Sequence, residues 1–266
     1  MISKPLWKRN LWIGIKLMIP FLAILTMYNS VIIWMYDPKL SQSLDEFQQI
    51  MPEMMAAVGM TGATGTLIEF LHTYLYGFIM LLIPVIYVVM LVYKLIMKYV
   101  ENGSIACILA TPNSRRKIIH TQLLSVSFLT TLLIVIMSGI GYGCCEAMFP
   151  GDLVVKKYLL LNGATLLLDL AMGGICVLTA CICNEAKWYL TIGAGLPLFF
   201  YVIQMMSNMG EKLEKLKYAT MYTLFPGKEI IKGTGGVILP CLILAGIWLG
   251  LHIVGTIIFT KKDLSV

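Results

Sequence analysis

The sequence predicts an all-α integral membrane protein with six transmembrane helices, an N-terminal interfacial helix and a helical projection between the second and third spans. Three observations carry this. Of 266 residues, 59% are hydrophobic and 13% charged, and the mean hydropathy is +0.84. Soluble domains lie nearer 45–50% apolar and about 25% charged. Six apolar runs reach the roughly 20 residues that a helix needs to cross hydrocarbon, at about 17–36, 72–95, 118–145, 158–182, 188–206 and 237–260. Cations gather at alternate breaks between these runs, as expected of cytoplasmic ends. That placement accounts for the net charge of +6 without a nucleic-acid partner.

The chain begins with Lys4, Lys8, Arg9 and Lys16 interleaved with Trp7 and Trp12. Rings and cations at helical spacing suit a helix lying in the inner interface, or else the flared start of the first span. The apolar run that follows is too long for a cleavable signal, so the segment is expected to stay as an anchor. After the first span, residues 37–69 carry Asp37, Asp45, Glu46, Glu53 and Glu69 against Lys39 alone, which places them outside. Within them Phe47, Ile50, Met51, Met54 and Met55 have the spacing of a short amphipathic helix. Pro84 is expected to kink the second span, and Lys94 and Lys98 mark its inner end.

The next break, 99–122, is the most charged in the first half of the chain. Asn102, Gly103 and Ser104 permit a stop and restart. Ile105, Ile108 and Leu109 fall on one helical face, and Thr111 followed by Pro112 reads as a helix start. Arg115, Arg116 and Lys117 then enter the first turns of the third span. The helix dipole disfavours cations there by about 0.3–1 kcal/mol each when exposed, so lipid phosphates or a partner protein are expected to hold them.

The third and fourth spans are joined by a short outer loop with Pro150 and Gly151, the fourth and fifth by an inner turn at Asn184, Glu185 and Lys187. The loop before the sixth span carries Lys212, Lys215, Lys217, Lys228 and Lys232 on the side assigned as outer, partly offset by Glu211, Glu214 and Glu229. Long loops follow the positive-inside rule weakly. The resulting topology is one multi-pass membrane domain, 1–266, with both termini cytoplasmic.

Chemistry-bearing motifs are sparse. No G-x-x-x-x-G-K-[ST] phosphate loop occurs, since Gly227–Lys228 is followed by Glu229. No H-E-x-x-H occurs either, and no metal or cofactor is expected in this chain. Cys176, Cys181 and Cys183 read as small apolar residues of a helix bundle. Asp169 is the one carboxylate deep in a span, and an intramembrane charge marks a functional site unless a neighbour binds it. It reads either as structural glue against Asn162, Thr165 or Thr179, or as part of a substrate path or gate. A competing reading is an intramembrane enzyme using Asp169 with His252, or Glu69 with His72.

Three stretches together resemble the permease subunits of type-2 ATP-binding-cassette (ABC) exporters, which have the type V exporter fold. The first runs from Glu101–Asn102–Gly103–Ser104 through Ile108–Leu109–Ala110–Thr111–Pro112 to Ser114–Arg115–Arg116–Lys117. The second is Leu216–Lys217–Tyr218 to Thr223–Leu224–Phe225, with Ile230 and Gly233. The third is Phe259–Thr260–Lys261–Lys262–Asp263–Leu264. The resemblance implies a subunit that pairs with a second permease copy or paralogue and docks separate ABC ATPase subunits carrying ATP and Mg. The first stretch would be the cytosolic coupling helix, with Glu101, Gly103, Ile105, Ile108, Leu109, Thr111, Pro112, Arg115, Arg116 and Lys117 as its coupling residues. The implied location is a bacterial plasma membrane, in contact with its lipid. The implied activity is outward transport of an amphipathic or hydrophobic cargo such as a peptide, drug or lipid.

Overall fold

The computed structural model describes residues 2–37, 50, 52–57, 65–105, 113–209 and 213–262. Every element among them is helical. Six helices are long and apolar enough to span a membrane: α1 Lys4–Met35, α2 Ile79–Glu101, α3 Arg115–Met148, α4 Val155–Ile182, α5 Ala186–Asn208 and α6 Gly235–Lys261.

Helix α1 has no corner between the amphipathic start and the first span. It is one helix from Lys4 to Met35, with Pro20 inside it. At 1.5 Å per residue it is about 48 Å long, against a hydrocarbon thickness of roughly 30 Å. The predicted interfacial segment is therefore the protruding first turns of the span itself. It is fixed there by α3: Asn10 Nδ2 donates to Gln122 Oε1 (2.7 Å) and Ser125 Oγ (2.9 Å). Gly14 lets the two helices meet, since a side chain there would overlap Leu129.

The approach to α2 is built in two pieces. A short helix, Leu67–Leu71, starts in a capping box: Thr66 Oγ1 accepts from the Glu69 N–H and Glu69 Oε2 accepts from the Thr66 N–H (3.0 Å). The chain then widens through His72–Tyr76, breaks at Phe78 and restarts at Ile79. Among the residues predicted to form an outer amphipathic helix, 47 and 51 lie outside the described residues. Met54 and Met55 fall in the helix Pro52–Ala57.

Helix α4 is the centre of the bundle. Leu161, Thr165, Leu168, Asp169, Ala171, Cys176 and Ala180 are all buried. The flanking α1, α5 and α6 turn rows of large apolar side chains outward, among them Trp34, Phe199 and Leu242, as a surface solvated by lipid requires.

The first and last described residues lie at one end of the bundle. There Ser3 N–H donates to Thr121 Oγ1 (3.0 Å), Arg9 lies 5.2 Å from the Tyr99 ring, and Lys262 reaches the end of α4. At the opposite end Tyr36 packs on Phe70 and Phe149 and donates to the Gly65 carbonyl (3.4 Å). Burial raises the Tyr36 pKa, and the nearby carboxylates Asp152 and Glu69 add to the shift. The segment between α5 and α6 is at this second end as well. Lys157 Nζ donates to the Ile231 carbonyl (2.5 Å), and Lys217 lies 5.2 Å from the Tyr218 ring. These local partners give lysines a place at an end where the charge rule alone would not put them.

Candidate functional site

The connection between α2 and α3 is built from its flanks. Helix α2 ends on Glu101, whose Oε2 accepts from the Tyr93 hydroxyl (3.3 Å). Asn102 donates its N–H to the Lys98 carbonyl (3.2 Å), and Gly103 turns the chain with φ +66°. This left-handed turn is open to glycine and strained for other residues. Ile105 is buried against the bundle. Ile108, Leu109, Thr111 and Pro112 lie outside the described residues. The helix that carries the cations does not start at Thr111: Asn113 is not helical, Ser114 is extended, and α3 begins at Arg115. Ser114 is its cap, its hydroxyl accepting from the Lys117 N–H (3.3 Å). Arg115, Arg116 and Lys117 do occupy the first turn. Arg115 has a partner within the chain, donating from Nη1 to the Lys262 carbonyl (3.0 Å).

Asp169 is elsewhere. It is fully buried, halfway along α4, roughly 20 Å in axial rise from Ile182. Neither carboxylate oxygen has a hydrogen-bond partner. Asn162 and Thr165, the predicted glue, bond back to their own helix at the Tyr158 and Leu161 carbonyls. Thr179 does the same at Ile175.

His252 does not join Asp169. Its Nδ1 lies 3.0 Å from the Trp248 carbonyl and its Nε2 3.3 Å from Ser127 Oγ. One neutral tautomer satisfies both contacts. Glu69 is occupied by its capping box, and among the described residues no group of three His, Cys, Asp or Glu side chains is placed to hold a metal. Among the described residues no side-chain hydrogen bond joins Asp169 to His252 or Glu69 to His72.

Sequence reasoning missed a chamber of about 580 Å³ at the end opposite the termini, lined by side chains of α5, the α5–α6 segment and the approach to α2. Its wall carries both polar groups, including His72, Gln204, Lys228 and Glu229, and apolar ones, including Leu81, Met205 and Phe225. Its floor is aromatic. Tyr222 descends from the α5–α6 segment, packs on Tyr201 with ring centroids 5.4 Å apart, and donates to the Leu81 carbonyl (3.4 Å). Burial pushes the Tyr222 phenol up, and Asp169 is the first of the nearby groups that add to the shift. The buried carboxyl thus lies close to the aromatic floor. The signal in the sequence was the aromatic pair Tyr222 and Phe225, both in the chamber lining, in a segment otherwise read as a surface loop. Burial pushes His72, at the rim and ahead of the spanning helix, down to about 4, and Lys228 contributes.

Six packed spanning helices with a chamber at the end opposite Ser3 and Lys262 define a polytopic membrane domain. The model of the ABC-2 family transporter proteins matches residues 8–264, and the chain belongs to that family. No curated protein matches the chain.

Proposed function

We propose that this chain is the permease subunit of an ATP-driven exporter, powered by separate ABC ATPase subunits that bind ATP and Mg. The observation that carries the reading is the asymmetry of the connections at the terminal end. Helices α2 and α3 are separated by residues 102–114, whereas α4 and α5 are joined by 183–185 alone. A chain without a phosphate loop of its own must take ATPase motion through a cytosolic projection, and 102–114 is the one connection there with the length for it. By their spacing in the sequence Ile108 and Leu109 are its expected apolar face, and the turn at Gly103 and the cap at Ser114 set its two ends. The positive-inside pattern supports cytoplasmic termini. The mixed lining of the outer chamber suits an amphipathic or hydrophobic cargo, with Asp169 in or beside its path. A second permease copy or paralogue completes the transporter within a bacterial plasma membrane.

The test is affinity purification of the detergent-solubilised protein from its native membrane, followed by identification of what accompanies it. A stoichiometric ATPase is expected, and Ile108→Asp or Leu109→Asp should remove it while the helical content is unchanged. An ATPase that stays bound through both substitutions would refute the coupling assignment.

A further inference from the structure

The closing Lys261–Lys262 pair has no role in the account so far, and its place in the fold supplies one. Lys262 directs its ammonium back under the carboxyl end of α4. It donates to three successive carbonyls, Cys181 (3.1 Å), Ile182 (2.9 Å) and Cys183 (2.7 Å). These are among the last carbonyls of the helix, which have no partner within it. A cation at this end is also favoured by the helix dipole. The same residue's carbonyl accepts from Arg115 Nη1 (3.0 Å). One residue therefore joins three elements: the amino end of α3, the carboxyl end of α6 and the carboxyl end of α4.

The join is selective. Lys261, one residue earlier, is exposed, whereas Lys262 is half-buried. Burial lowers the Lys262 pKa, and the Cys181 and Cys183 thiols oppose the shift. The three hydrogen bonds of its ammonium offset the desolvation of that group. Arg115 is the first residue after the α2–α3 connection, and α4 is the central helix that carries Asp169.

From this geometry we infer that Lys262 is a positioning residue, a clasp through which displacement of the α2–α3 connection at Arg115 is passed to the carboxyl end of α4. The mechanical use of the clasp rests on the exporter reading above, but the clasp itself can be tested in the permease alone.

The experiment is hydrogen–deuterium exchange of the purified full-length protein in detergent, read on peptides covering 178–187. Lys262→Gln is expected to speed amide exchange there several-fold. Arg115→Gln, more than sixty residues away in sequence, is expected to speed it at least twofold. The double variant should exchange no faster than Lys262→Gln, because both substitutions open one linkage. Arg115→Lys, which keeps a donor, should restore much of the protection, and Lys261→Gln should leave exchange unchanged. An Arg115→Gln variant indistinguishable from wild type over 178–187 would overturn the inference, as would effects of the two substitutions that multiply. A clasp confirmed in a protein that binds no ATPase would leave the linkage standing and refute its proposed use.

Discussion

A carboxylic acid buried without a partner is a free-energy cost that the fold carries at Asp169. Both of its oxygens lie unbonded inside the most buried helix. Leaving a buried polar group unsatisfied costs about 1–3 kcal/mol. Asp169→Leu is therefore expected to raise the thermal unfolding midpoint of the solubilised protein while cargo-stimulated ATP hydrolysis by the assembled transporter is lost. A lower midpoint would show that the carboxyl holds the bundle together, and retained stimulation would remove it from the cargo path. His72 makes a prediction of opposite kind. Its folded pKa of about 4 is below the ordinary 6.5, through burial and then Lys228. A depressed folded pKa means that stability is full above pH 6.5 and falls as the pH drops towards 4. The loss from this one group is on the order of 3 kcal/mol. Chemical unfolding of wild type and His72→Gln at pH 7.5 and 4.5 checks it, and equal acid losses in the two proteins would refute it.

At the scale of elements, the sequence exposed what depends on composition and hid what depends on pairing. The six spans were legible because burying a helix in lipid needs only a run of apolar residues, although the second spanning helix starts at Ile79, after the break at Phe78, and not at His72. The start of α3 was legible only in part. Thr111–Pro112 has the chemistry of a helix start, but Ser114 holds the cap, and local preference does not decide between two good caps three residues apart. The N-terminal helix was read as either interfacial or spanning. It is continuous from Lys4 to Met35 even though Pro20 removes one backbone donor, and Asn10 ties its protruding turns to α3. Arg115 was assigned to lipid or to a partner, and its bond to the Lys262 backbone joins residues 147 apart in sequence. No spacing rule finds such a contact. The outer chamber was hidden for the same reason, since its aromatic floor is made by Tyr201 and Tyr222 from different elements.

For the whole molecule, the two ends are chemically different. The terminal end gathers Lys4, Lys8, Arg9, Lys98, Arg115, Arg116, Lys117 and Lys262. The other end holds Glu69, Asp152 and Glu229, along with lysines that have local partners. Positive charge near short connections orients a membrane protein more strongly than charge in long ones, so the charge pattern supports the proposed cytoplasmic placement of the terminal end despite the lysines before α6. Single cysteines placed in a variant whose native cysteines are replaced test this in intact cells. Ser104→Cys is expected to resist a membrane-impermeant maleimide until the cells are opened. Asp152→Cys and Glu229→Cys are expected to react without opening. Labelling of position 104 from outside, with 152 and 229 protected, would invert the topology. It would place the α2–α3 connection out of reach of any cytosolic ATPase, and the exporter reading would fall with it. Labelling of 152 but not 229 would instead contradict the placement of the α5–α6 segment at the outer chamber, and would leave the coupling side of the molecule as assigned.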